Sequence, residues 1–250
     1  MTVLRKLTWV ELKLFAREPL SVVFNLVLPL FFLIVLNGVF GNEPEVDPVE
    51  DVWRGVGPAD YYVPAYVALV ITAIGVLSLP VRLATYRERG VLRRFRASAF
   101  PVWAVLGSQV IIALLTAAVG AVTLTVASTL MYDTMLPEDV FGFVVAFVIG
   151  TLSFACLGVL LGSVMPTARS AQSLGIMIFF AGFLLSGAGP PRDVLEGAMG
   201  TVSDVLPVTH LVVMLQDPWL GFGWATGASL VVIAVMLVSA ALALHFFRWE

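Results

Sequence analysis

"YYVPAYVALVITAIGVLSLPV", residues 61–81, is a run of 21 residues without one charged side chain, and "TYRERGVLRRFRASAFP", residues 85–101, follows it almost at once with five arginines and a glutamate. The first stretch is long enough to cross a bilayer as a helix, which needs about 20 apolar residues. The second is too charged to follow it into lipid and too patterned to be a plain loop. The pair sets the theme of the chain: apolar spans, with basic charge gathered between particular ones.

Composition agrees. Of 250 residues, 60% are hydrophobic and only 12% charged, against about 25% charged in a soluble domain. Six stretches are long enough to span: 20–40, 61–81, 102–131, 140–165, 172–189 and 223–247. The expected fold is all-α, a single membrane domain over 1–250. The first span is about twice as long as the apolar region of a signal peptide, and no small-x-small cleavage pattern follows it. Cys156 is the only cysteine, so no internal disulfide forms.

Charge orients the spans. All lysines and arginines except Arg54 and Arg192 fall on one side, together with only Glu11, Glu18, Glu88 and Glu250 among the acids. The positive-inside rule puts that side in the cytoplasm, with both termini there. The expected location is a bacterial cell membrane. Within these boundaries no span holds Asp, Glu, Lys or Arg. That argues against a proton- or sodium-driven transporter, whose pathway usually needs intramembrane ionisable groups, and against an intramembrane hydrolase. Two histidines, His210 and His245, on opposite sides cannot build a metal site together. G-x-x-x-x-G-K-[ST] is absent, so this chain binds no ATP through a P-loop and is not itself an ATPase.

Three segments outside the spans carry pattern. Val3, Leu7, Val10 and Leu14 share a helical face beside Lys6, Lys13 and Arg17, which suits an interfacial helix over 3–17; the alternative is a frayed basic terminus. In residues 86–97, Val91, Leu92 and Phe95 form an apolar ridge opposite Arg89, Arg93 and Arg96, with Arg87 and Glu88 in the first turn. That pattern fits a helix docking in a partner's groove and equally a basic helix on anionic lipid. In residues 190–217, Leu195, Met199, Val202 and Leu206 share one face, and Pro207 breaks the run before "HLVVML". Two apolar helices too short to span suggest a re-entrant or interfacial hairpin at the outer leaflet; the alternative is an ordinary external loop.

Smaller signals lie inside the spans. Gly158 and Gly162 permit close helix approach, most simply within one subunit. Pro29 and Pro80 each free a backbone carbonyl and favour a kink. Asn25, Asn37, Gln109 and Gln172 each need a hydrogen-bond partner, whether as interhelical glue or along a substrate path. Phe180 and Phe183 suit a greasy substrate as well as lipid.

"YRERGVLRRFRASAFP" resembles the segment E-[KR]-x-[KR]-G-T-L-x-R-L-x-x-[ST]-P after the second span of ABC type-2 export permeases, the family of daunorubicin-type drug exporters. Glu88, Gly90, Leu92, Arg94 and Phe95 fall at matching places, while Val91 stands for the usual threonine. "LLSGAGPPRDVLEGAMGTVSDVLPVTHLVVMLQD", residues 184–217, resembles the family's segment after the fifth span, with Leu206-Pro207-Val208-Thr209-His210 for N-P-[LV]-[TS]-[YH]. The resemblance implies an exporter permease powered by separate ATP-binding cassette subunits. ATP and Mg2+ would sit on those subunits, no cofactor on this chain, and nucleic acid has no part. A second permease chain and membrane lipid would be the other partners. It implies that Glu88, Arg89, Gly90, Val91, Leu92, Arg94 and Phe95 contact the ATPase. Asn25, Asn37, Gln172, Phe180 and Phe183 are then candidates for the substrate path, and Leu195, Met199, Pro207, Thr209 and His210 for an outer gate. The implied cargo is a lipophilic or amphipathic drug or antibiotic, with lipid or a lipid-linked glycan next. A membrane anchor or sensor module is the non-transport alternative.

Overall fold

A computed structural model describes residues 8–9, 12–13, 23–43, 52–97 and 101–246. The described residues form helices and no strands. The helices are α1 (Leu28–Phe40), α2 (Pro58–Ala73), α3 (Leu79–Glu88), α4 (Val91–Ala97), α5 (Val102–Tyr132), α6 (Val140–Val164), α7 (Ala168–Leu185), α8 (Gly197–Val205), α9 (Pro207–Trp219) and α10 (Thr226–Phe246). Five helical segments are long and apolar enough to cross a membrane: Pro58–Glu88, which joins α2 to α3, and α5, α6, α7 and α10. The described part of the first apolar segment is a shorter apolar helix, and α8 and α9 meet at a bend of 79°. The interfacial helix expected over 3–17 lies outside the described residues except at 8–9 and 12–13, which are helical.

The second span is the hub. From Tyr61 to Leu79 its side chains are almost wholly buried, and α5, α6, α7 and α9 pack around it. A helix apolar on every face suits protein interior and lipid alike, so it is packing, not composition, that puts this span at the centre. α7 and α10 are far less covered by the rest of the chain.

The two span prolines act through the turns before them. A π turn over Val23–Val27 precedes Pro29, and another over Ile74–Ser78 precedes Pro80. Proline donates no N–H and its ring crowds the preceding turn, which a wider π turn relieves. In the second span, Leu79 N–H donates to the Ile74 carbonyl rather than to that of Gly75, and Pro80 has no N–H for Val76. The carbonyls of Gly75 and Val76 are the ones that Gly158 of α6 and Gly175 of α7 approach, so closely that a Cβ on either glycine would overlap the oxygen. The expected Gly158–Gly162 packing is therefore within the chain, with Leu83 and Pro80 over Gly162. Such close backbone contact is what small residues supply between membrane helices.

Local signals set the other boundaries. Asp139 caps α6 by accepting from Gly142 N at 2.8 Å. Thr167 and Ser170 form a capping box that starts α7 at Ala168, four residues before the expected 172, and the helix ends at Leu185 rather than 189. The second span runs on to Glu88, seven residues beyond the expected end at Val81, so Arg82 lies within the continuous helix and is only 7% exposed. The expectation of spans free of charged side chains is corrected there. Arg82 escaped it because hydropathy ends a span at a charge, whereas helical hydrogen bonding does not.

Candidate coupling face and outer hairpin

At the basic end, α3 hands over to α4. Gly90 adopts φ +65°, a left-handed value that suits glycine, and reverses the chain there. The segment expected as one helix over 86–97 is thus two pieces. Arg87 and Glu88 belong to the last turn of the long helix, not the first turn of the short one.

Those two side chains tie the end of the hub to the α6–α7 connection. Arg87 Nη1 donates to the carbonyls of Gly162 and Ser163, each at 3.1 Å, and its Nη2 donates to that of Met165. These are terminal carbonyls of α6, the negative end of its dipole, where a cation is stabilised. Glu88 Oε1 accepts from Ala168 N at 2.8 Å, at the positive start of α7. One acid and one base in adjacent positions therefore clamp two helix ends of opposite polarity.

The apolar ridge of α4 is not turned outward. Leu92 is 1% exposed and sits in the core, and Phe95 is half-buried against it. Val91 is partly covered, while Arg89, Arg93, Arg94 and Arg96 are exposed. The ridge that suited a partner's groove is covered by this chain's own helices, and the outward surface of the segment is arginine. Helical periodicity places Val91, Leu92 and Phe95 on one face but carries no information about what covers it.

Among the described residues, the candidates for a substrate path lie in different surroundings. Asn25 is fully buried and its Oδ1 accepts from Ser78 Oγ at 2.9 Å, which links the two π turns. Close by, Arg82 Nη1 donates to Gln109 Oε1 at 3.3 Å. Asn25 Nδ2 and Gln109 Nε2 are buried without a hydrogen-bond partner among the described residues. Asn37 is also buried, and its side chain has no hydrogen-bond partner among the described residues. Gln172 and Phe180 are exposed on α7, and Phe183 stacks on Phe32 with ring centroids 4.2 Å apart.

At the acidic end, the start of the hub is latched on several sides. Asp60 Oδ1 accepts from Met135 N at 2.7 Å, and Gln216 Nε2 donates to the Tyr61 carbonyl at 3.1 Å. Tyr62 donates its hydroxyl to the Gly189 carbonyl at 2.6 Å, and Trp53 packs edge-on against Tyr61 and Tyr62. Arg54 Nη1 pairs with Asp217 Oδ1 at 2.8 Å.

Within 190–217, where a helical hairpin is expected, α8 and α9 form a pair bent by 79°, and α9 runs on to Trp219. Pro207 opens α9 at the bend, where its missing N–H costs nothing. His210 Nε2 donates to the Asp204 carbonyl at 2.8 Å across that bend, and the Ser203 and Thr209 hydroxyls approach to 3.5 Å. Pro207, Thr209 and His210 thus come together. Leu195 and Met199 do not join them: Leu195 is half-buried beside a cavity, and Met199 is 62% exposed. The face shared by Met199 and Val202 looks away from the protein's own core, and α9 instead buries Val208, Leu211, Val212 and Leu215.

Sequence reasoning passed over Arg82, Arg87 and the Arg54–Asp217 pair. For Arg54 a signal was present, since it is one of only two basic residues on the acidic side. Arg87 offered none, because its partners are backbone carbonyls some 75 positions away.

The profile of the family described as ABC-2 type transporter matches residues 2–220. The chain is similar to the probable multidrug ABC transporter permease YbhR of Escherichia coli strain K12, and to that of Escherichia coli O157:H7. Each is 26% identical over 191 residues, which is 74% of this chain and 51% of the relative. The chain therefore spans about half the length of the curated relatives it matches. With a family match over most of its length and a helical architecture of five to six possible membrane spans, the chain belongs to the ABC-2 type transporter family of membrane permeases.

Proposed function

We propose that this chain is the membrane subunit of an ATP-driven exporter and that its exposed arginines at 89, 93, 94 and 96 receive the ATPase subunit. ATP and Mg2+ are handled by that partner, and a second permease chain, identical or related, completes the pathway. The basic end faces the cytoplasm of a bacterial cell, with both termini there. The cargo is lipophilic or amphipathic, of drug or antibiotic type, in keeping with the multidrug description of the E. coli relatives.

The observation that carries this reading is the clamp of Arg87 and Glu88 on the facing ends of α6 and α7. A push on α4 reaches the buried hub directly through α3, and reaches α6 and α7 through the clamp. That is the kind of stiff, branched connection a rocking two-state device needs. An arginine face also suits a partner surface rich in carboxylates, by steering and by bidentate pairing.

The test is purification of the tagged chain from its native membrane, with mass spectrometry of what accompanies it. A P-loop ATPase in stoichiometric amount is expected, and it should be lost in Arg93→Glu/Arg94→Glu while the variant still inserts. Undiminished association in that variant would remove the arginine face from the coupling role.

A further inference from the structure

A cavity of about 330 Å³ lies at the acidic end, between α8, α9 and the segment that leads into α2. The only two basic residues of that side, Arg54 and Arg192, both line it. So do the carboxylates Asp193 and Asp204 and the buried polar side chains Ser203 and Gln216. The volume is at the lower end of the range for small-ligand sites.

The wall is electrically mixed. Arg192 Nη2 meets Asp204 Oδ1 at 2.9 Å, and Arg54 pairs with Asp217 just behind it while its guanidinium lies 4.3 Å over the Phe222 ring. Each pair engages one guanidinium nitrogen, and a guanidinium offers five N–H donors. An anion entering this space meets Asp193 and Asp204, and a cation meets Arg54 and Arg192. A group with both charges a few ångströms apart satisfies both kinds of wall.

One wall of the cavity, α8, also carries an apolar face. α8 sends Ser203 and Asp204 toward the cavity and leaves Met199, Val202 and Val205 exposed at 62%, 49% and 75%. That face is largely exposed, and a hydrocarbon tail would cover it. We propose that this cavity binds the zwitterionic head group of an amphiphile bearing an amine and a phosphate, with its tail along the exposed face of α8. The source is either a membrane lipid or a transported amphiphile, since both present this chemistry. The inference concerns this chain alone and does not depend on the ATPase partnership.

The experiment is native mass spectrometry of the full chain in maltoside detergent, titrated with lysophosphatidylethanolamine. One saturable adduct per chain is expected, with lysophosphatidylglycerol and a single-chain quaternary ammonium each bound at least several-fold more weakly. Loss of one charged contact corresponds to about tenfold in affinity, so Arg192→Gln and Asp193→Asn should each weaken the adduct by about that factor. Arg169→Gln, exposed at the other end of the protein, should leave it unchanged. The head-group ranking on the unaltered chain stands even if a variant does not fold. Phosphatidylethanolamine already present at one per chain after purification would mark a membrane lipid as the occupant. A bare chain that takes up the added probe would mark a transported amphiphile; either result supports the site. Absence of a saturable adduct, equal affinity for the glycerol head group, or equal affinity in both variants would overturn it.

Discussion

Arg87→Ala cuts the clamp at its α6 side and leaves the arginine face of α4 intact. The side chain donates to three carbonyls at the end of α6, and it is half-buried, so water only partly replaces them. A hydrogen bond from a charged group contributes about 1.5–3 kcal/mol net, and a cation in a partly buried helix-end position up to about 2 kcal/mol. These overlap rather than add. A loss of about 2–3 kcal/mol is therefore expected, roughly a 30- to 150-fold rise in the fraction of molecules with the basic end detached. Hydrogen exchange in lipid nanodiscs reads this directly. Amides of 91–97 and of 165–170 should exchange faster in Arg87→Ala, while those of the hub around Leu69 should keep their protection. Arg93→Ala, an exposed neighbour, should change neither. Arg87→Lys should fall between, because an ammonium reaches fewer carbonyls than a planar guanidinium. Unchanged exchange at 165–170 in Arg87→Ala would refute the clamp and with it the two-way transmission from α4.

Two further perturbations test the packing that places these groups. Gly175→Ala puts a Cβ against the Val76 carbonyl, a backbone atom that cannot swing aside; overpacking of this kind costs about 1–3 kcal/mol or more. A clear drop in the thermal midpoint is expected, with little change in Gly227→Ala, where nothing lies within contact distance. Arg54→Ala and Asp217→Asn, combined in a double-mutant cycle, should show a coupling of about 1 kcal/mol in thermal unfolding, because the pair is partly exposed. Coupling near zero would mean that the pair does not hold the loop before α2 to the hairpin.

What was legible in the sequence is what lipid imposes on composition. Every crossing element must satisfy its own backbone and present apolar side chains, so the spans of α5 and α6 appear in the sequence almost to the residue, and that of α10 to within a turn at its start. The charge bias, the lack of a P-loop and the hairpin proline are equally local facts. The end of the hub was not legible, because Arg82 looks like a boundary until Gln109 and the surrounding helices bury it.

The side chains that matter most at the two ends were decided by tertiary structure alone. Helical spacing groups Val91, Leu92 and Phe95 as it groups Met199 and Val202, yet the protein's own core covers Leu92 and leaves Met199 bare. An apolar stripe has the same pattern whether core, lipid or a partner covers it. Likewise Arg87 and Glu88 acquire their role from the ends of α6 and α7, and backbone groups leave no mark in sequence that says which side chain will reach them.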